Sequence, residues 1–252
     1  MLHHSVRSFK HSGDRGDLIY ALPVIRALGG GQLFLWDAPP DRCMLEDGSI
    51  SLFTPAKIDS ILPLILKQPY IRNASVWKGE RFQYDFDVFR YHFDLRTTNL
   101  CDAQLQLFNV PVHEHANAWL AVDPIQTEQI VVARSPRYHN ESINWREVYQ
   151  FIRGRAVFVG HPNEHRAFQQ VAGPLPYHAT NNMLELAQVI AGAHIFLGNQ
   201  SCPYAIAEGL KKTAILEVCR GCPNTIFQRR GALHLWGPVT EKELREWELD
   251  RA

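Results

Sequence analysis

The sequence predicts an α/β protein of two lobes, each built on a parallel sheet, facing each other across a central cleft. Three observations carry that expectation. Residues 195–210, IFLGNQSCPYAIAEGL, run from an apolar stretch through a Gly–Asn–Gln–Ser turn into a small-residue segment of helical habit. Residues 12–30, SGDRGDLIYALPVIRALGG, place a second Gly-rich turn, carrying Asp14 and Asp17, before a helix closed by Gly29 and Gly30. Beyond residue 128, strand-like runs alternate with helical patterns, the rhythm that gives parallel sheets with right-handed crossovers. The lobe boundary falls near residues 123–128, which gives lobes over 1–125 and 126–252.

In the first lobe, Val6 to His11 reads as a strand, Ser12–Asp17 as a turn, and Leu18 to Leu28 as a helix. Gln32 to Trp36 is a second apolar strand, ended by Asp37 and Pro39–Pro40. Ile58 to Lys67 is helical, with Pro63 kinking it or opening its first turn. Residues 70–100 are rich in aromatic and charged side chains and read as short strands and long loops. In the second lobe, strands are expected at Gln129–Ala133, Ala156–Gly160, Ile195–Leu197 and Ala214–Val218. Helices are expected at Asn144–Ile152 with Asn144 as N-cap, and at Glu164–Val171, Asn181–Gly192, Pro203–Leu210 and 242–249.

At 252 residues the chain can bury one large core or two small ones. Its 26 basic and 26 acidic side chains cancel, so nothing overall marks a partner of DNA or another polyanion. The pairs Arg134 with Arg137, Arg153 with Arg155, Lys211 with Lys212 and Arg229 with Arg230 read first as solvated surface charge. No apolar run is long enough for a membrane span. The N-terminus lacks the apolar core of a signal peptide. Five scattered cysteines fit reduced thiols and a cytoplasmic setting.

Four constellations could do chemistry. In Ser12-Gly13-Asp14-Arg15-Gly16-Asp17, a carboxylate at a helix mouth either stabilises the helix start or serves as a general base. The Gly198, Asn199, Gln200, Ser201 turn offers a hydroxyl, amides and backbone donors at a helix N-terminus, which attracts phosphate. Residues 158–164, FVGHPNE, form either an ordinary strand–helix loop or a seat for the base and ribose of a nucleotide. The Cys219–Cys222 pair stands alone without a second pair, so no zinc site or other metal is expected. The histidines show no metal-ligand spacing.

Taken together, these motifs resemble glycosyltransferase family 9, the heptosyltransferase-like proteins of the GT-B fold. The resemblance rests on Arg15-Gly16-Asp17-Leu18-Ile19-Tyr20-Ala21-Leu22-Pro23, on Asn144-Trp145, on Phe158-Val159-Gly160, on Leu184 to Ile190, and on Phe196 to Leu210. It covers roughly residues 5–30 and 129–218. Gln200-Ser201-Cys202 stands where the family usually carries Asp–Ser–Gly, and Ala205 stands where it carries His.

The resemblance implies a GT-B-like chain of two Rossmann-like lobes. Its activity would be an inverting, metal-independent transfer of sugar from a nucleotide diphosphate sugar to an acceptor hydroxyl, with no cofactor. Asp17 would be the base, beside Asp14, Arg15 and Gly16 on the acceptor side. The donor diphosphate would lie at Gly198, Asn199, Gln200 and Ser201, with Arg134 or Arg137 as counter-charge and Arg15 as a rival for that role. Gly160, His161 and Glu217 would meet the donor nucleoside. Two other readings stay open: glycosylation of a modified nucleic-acid base, and a non-catalytic GT-B relic that binds a nucleotide or a partner protein.

Overall fold

The computed structural model describes residues 6–37 and 52–250. The expected strand terminator Pro39–Pro40 and Cys43 lie outside the described residues. The chain divides into two compact units, residues 1–121 with 182–184, and residues 122–181 with 185–252.

The first unit carries a four-stranded parallel sheet in the order β3-β2-β1-β4. Its strands are β1 (Ser8–His11), β2 (Gly31–Leu35), β3 (Ile71–Val76) and β4 (Tyr84–Asp85). Helix α1 (Arg15–Ala27) follows β1 and buries every residue from Leu18 to Ile25, so it packs as a core helix despite Pro23. Helix α2 (Pro55–Leu66) begins with Pro55 behind a Thr54 cap, and Pro63 lies inside it. Two short helices follow, α3 (Phe89–His92) and α4 (Leu100–Leu107).

The second unit carries a five-stranded parallel sheet in the order β6-β5-β7-β8-β9. Its strands are β5 (Ile130–Ala133), β6 (Ala156–Phe158), β7 (Ile195–Asn199), β8 (Thr213–Glu217) and β9 (Ala232–Leu235). The helices are α5 (Trp145–Ile152), α6 (Pro162–Val171), α7 (Met183–Gly192, in this unit from Glu185 onward), α8 (Cys202–Gly209) and α9 (Glu241–Leu249). Asn144 caps α5 by accepting from the Arg146 amide. One apolar face of α5 (Trp145, Val148, Phe151, Ile152) and Leu244 and Trp247 of α9 close the core over the sheet.

Three regular elements carry little sequence signal. Strand β3 is an edge strand that exposes Arg72 and Asn73, so its apolar alternation is broken. Strand β9 is an edge of the other sheet, and only Leu235 of it is buried. Helix α4 holds the polar Asp102, Gln104 and Gln106, yet Gln104 points inward and is fully buried. Among the described residues no helix is long and apolar enough to cross a membrane.

Candidate functional site

In the first unit the Gly–Asp turn joins β1 to α1. Gly13 adopts φ +106°, and a side chain there would meet the Phe53 backbone nitrogen at 2.8 Å, so only glycine fits. Asp14 is the N-cap of α1, accepting from the Arg15 amide at 2.5 Å and from Lys57 Nζ at 3.1 Å. Arg15 reaches out to Ser60 Oγ at 3.3 Å, while Gly16 lies in the first turn of α1.

Asp17 is the third residue of that helix, and its Oδ2 closes a capping box by accepting from the Asp14 amide at 3.3 Å. The same oxygen receives Arg90 Nη2 of α3 at 2.9 Å. Oδ1 takes no hydrogen bond among the described residues, and the side chain keeps 18 % exposure. Burial pushes the Asp17 carboxyl up from its ordinary value; Arg90 opposes that and Asp14 adds to it. One oxygen thus stabilises the helix start, and the other is left open to a further partner.

Behind Asp17 stands a buried polar group. Arg90 Nη1 donates to Asp87 Oδ1 at 3.2 Å. Asp87 also accepts from the Ser12 amide at 2.8 Å and its hydroxyl at 2.6 Å. Burial alone would raise Asp87; the Ser12 hydrogen bonds and the Arg90 guanidinium outweigh it and hold the carboxyl below its usual range. His11 is fully buried, and its Nδ1 accepts from the Gly13 amide at 2.8 Å. Burial first, then Arg90, lower its pKa to about 3, so the imidazole is neutral at physiological pH. Gln104 of α4 donates to the Asp17 carbonyl at 2.9 Å. Arg90, Asp87 and Gln104 were invisible to sequence reasoning, because they lie more than seventy positions from the turn they support.

In the second unit, β7 ends at Asn199 and α8 begins at Cys202. A side chain on Gly198 would strike the Ala133 carbonyl at 2.4 Å, so this glycine lets β5 and β7 lie together. Ser201 is the N-cap of α8, yet its side chain caps nothing. Its hydroxyl instead donates backward to the Asn199 carbonyl at 3.2 Å. The Ser201 and Tyr204 amides donate to no group among the described residues, and Pro203 has no N–H to satisfy. A helix end of this kind leaves backbone donors for an anion.

The neighbouring side chains behave differently from expectation. Asn199 is fully buried; its Oδ1 accepts from the Ser135 amide at 3.0 Å, and its Nδ2 donates to the Ser135 and Arg137 carbonyls. Gln200 donates to the Cys222 carbonyl at 2.6 Å and accepts from the Cys219 amide at 2.7 Å. Both amides thus fix loops, and what they leave to a ligand is backbone. Arg134 is committed too, forking onto Glu217 through Nε at 2.7 Å and Nη2 at 2.9 Å and lying over Trp145 at 4.8 Å. Glu217 has no exposed side-chain surface and also accepts from the Asn140 amide at 2.7 Å.

Arg137 is an exposed cation of this loop, and its guanidinium lies over the Tyr138 ring at 5.3 Å. Of the other basic pairs read as solvated charge, Lys211 and Arg229 both bind the fully buried Glu208, and Arg155 pairs with Glu248. Their carboxylate partners are distant in sequence, save Glu208 for Lys211.

Gly160 and His161 follow β6. The Gly160 carbonyl accepts from Tyr177 Oη at 2.7 Å, and the exposed His161 amide donates to Glu164 at 2.7 Å. Tyr177 in turn stacks on His165 at 5.0 Å. No group of three or more His, Cys, Asp or Glu suited to a metal ion occurs among the described residues.

Neither a protein-family model nor a curated protein matches the sequence. Solved structures do. A glycosyltransferase family 9 protein from Veillonella parvula aligns over 99% of both chains with a TM-score of 0.64 at 11% identity. The Escherichia coli heptosyltransferase WaaC, solved with ADP-2-deoxy-2-fluoro heptose, aligns over 97% of this chain and 99% of its own, with a TM-score of 0.57 at 10% identity. The iron-containing dodecameric glycosyltransferase TibC of enterotoxigenic E. coli aligns over 94% of this chain and 64% of its own, with a TM-score of 0.56 at 14% identity. In its fold, this chain is similar to glycosyltransferase family 9 proteins, heptosyltransferases among them.

Proposed function

We propose that this chain is a GT-B glycosyltransferase, moving a sugar from a nucleotide diphosphate sugar to an acceptor hydroxyl with inversion and without a metal. The observation that carries the reading is the start of α8. Its Ser201 and Tyr204 amides are unpaired among the described residues, the Ser201 side chain does not cap the helix, and the Arg137 loop is pinned to the same turn by Asn199. Such an end favours a diphosphate through both hydrogen bonding and the helix dipole. The similar fold of WaaC, solved with an ADP-sugar analogue, makes adenosine diphosphate sugars the first donors to try.

In this reading, unit 1 holds the acceptor and unit 2 the donor. Asp17 Oδ1 takes the acceptor's hydroxyl proton while that oxygen attacks the anomeric carbon. The bond from that carbon to the diphosphate breaks, and its electron pair leaves with the diphosphate. The α8 amides and Arg137 receive the charge that develops there, replacing the role a divalent cation would otherwise fill. A single displacement of this kind inverts the anomeric centre. Cys101, Cys202, Cys219 and Cys222 form no disulfide among the described residues, which fits action in a reducing compartment such as the cytoplasm.

Thermal unfolding with ADP, ADP-heptose and UDP-glucose tests the donor half of this reading. A ligand of the native state raises the melting temperature by mass action. An unchanged melting temperature with every member of the panel at millimolar concentration would sink it.

A further inference from the structure

We propose that Arg90 is a positioning residue for Asp17: anchored by Asp87, its guanidinium fixes Oδ2 and leaves Oδ1 to meet the acceptor. This inference rests on the reading of Asp17 as the base. The geometry behind it is a chain of alternating charge. Lys10 Nζ meets Asp87 Oδ2 at 3.1 Å, Asp87 Oδ1 meets Arg90 Nη1 at 3.2 Å, and Arg90 Nη2 meets Asp17 Oδ2 at 2.9 Å. All four side chains are mostly buried, with exposures of 7%, 16%, 13% and 18% in that order. Lys10 is itself held between Trp36, Trp77 and Phe82 and also meets Asp85.

A helix cap has no need of this apparatus. Holding the Asp14 amide takes one carboxylate oxygen, and a solvated aspartate does it well. Withdrawing an arginine and its counter-ion from water is costly unless both are paired. The arrangement instead suits a carboxylate that must stay ionised in a dry setting, with a fixed orientation and a free oxygen. The surroundings agree. His11 below the turn is neutral and adds no competing cation. Asp14 is paired with Lys57, and Gln104 on α4 donates to the Asp17 backbone carbonyl and adds no charge. Arg15 on the same turn is directed to Ser60.

The test reads Asp17 itself. The full chain, labelled with ¹³C at aspartate carboxyls, is titrated by NMR, with Asp17→Asn assigning the signal. Arg90→Gln should raise the Asp17 midpoint by at least about one pH unit, the usual effect of a cation at this distance. Arg90→Lys, which keeps the charge and loses the fork, should give a smaller rise and guards against a misfolded Arg90→Gln. The acid limb of ADP release from ADP-heptose should move by the same amount, with donor KM unchanged. An Asp17 midpoint unmoved in both folded variants overturns the proposal and leaves the base reading intact. Full turnover in Asp17→Asn overturns the base reading and this inference with it.

Discussion

Glu217→Ala separates a donor contact from a structural brace. The Glu217 side chain has no exposed surface and accepts three hydrogen bonds, two from Arg134 and one from the Asn140 amide. Arg134 is only 9% exposed and stacks on Trp145, so it has no easy route to water once its partner is gone. Breaking a buried pair from one side costs about 3–5 kcal/mol, against about 0–1 kcal/mol for a surface pair. For a chain of this size that corresponds to a melting temperature lower by roughly 6–20 °C. Differential scanning calorimetry of the two variants Glu217→Ala and Arg134→Met/Glu217→Leu measures it. The double variant removes both charges and should recover most of the loss, because the penalty lies in the stranded cation. A loss below about 1 kcal/mol in Glu217→Ala would refute the buried-brace argument. A folded variant that lost only ADP-heptose binding would return Glu217 to the donor site.

Asp17→Asn should abolish transfer while retaining the melting shift given by ADP, since α8 is untouched; normal turnover removes Asp17 from its role. Arg137→Ala should weaken ADP binding about five- to tenfold with little change in stability, as expected for one exposed cation on a diphosphate, and isothermal titration calorimetry checks it. His11 is neutral in the folded chain down to about pH 3, whereas an unfolded histidine takes up a proton near pH 6.5. Between those values the unfolded state binds more protons, so stability falls with acid by up to about 1.4 kcal/mol per pH unit. His11→Phe should flatten that slope in urea unfolding between pH 6.5 and 4, and an unaltered slope would contradict the assignment. Gln200→Ala should loosen the loop that carries Cys219 and Cys222, visible as faster hydrogen exchange at those amides.

The parallel strands β1, β2 and β5 to β8 could be read from apolar runs, because a strand buried on both faces shows as a nearly continuous apolar stretch. Strands β3 and β9 could not, since few of their positions are buried and the alternation fails, whereas the edge strand β6 is buried throughout. Both turns were legible because glycine beside short polar residues favours a bend over a helix or strand. The direction of the side chains was not. Asn199, Gln200 and Arg134 look like ligand groups in sequence, and their partners lie 19 to 83 residues away. Arg90 carries no local signal, because a basic residue on a four-residue helix is unremarkable until Asp17 is placed beside it.

The double grip of Gln200 has an electrostatic side. A carboxamide gives one hydrogen and takes one, so it can brace both a carbonyl and an amide of the same loop. An aspartate there would be one methylene shorter and, ionised, could only accept. Because this brace is a carboxamide, Gln200 places no negative charge beside the start of α8. The local potential there is correspondingly more hospitable to a polyanion, and less dependent on acidity than a carboxylate would make it.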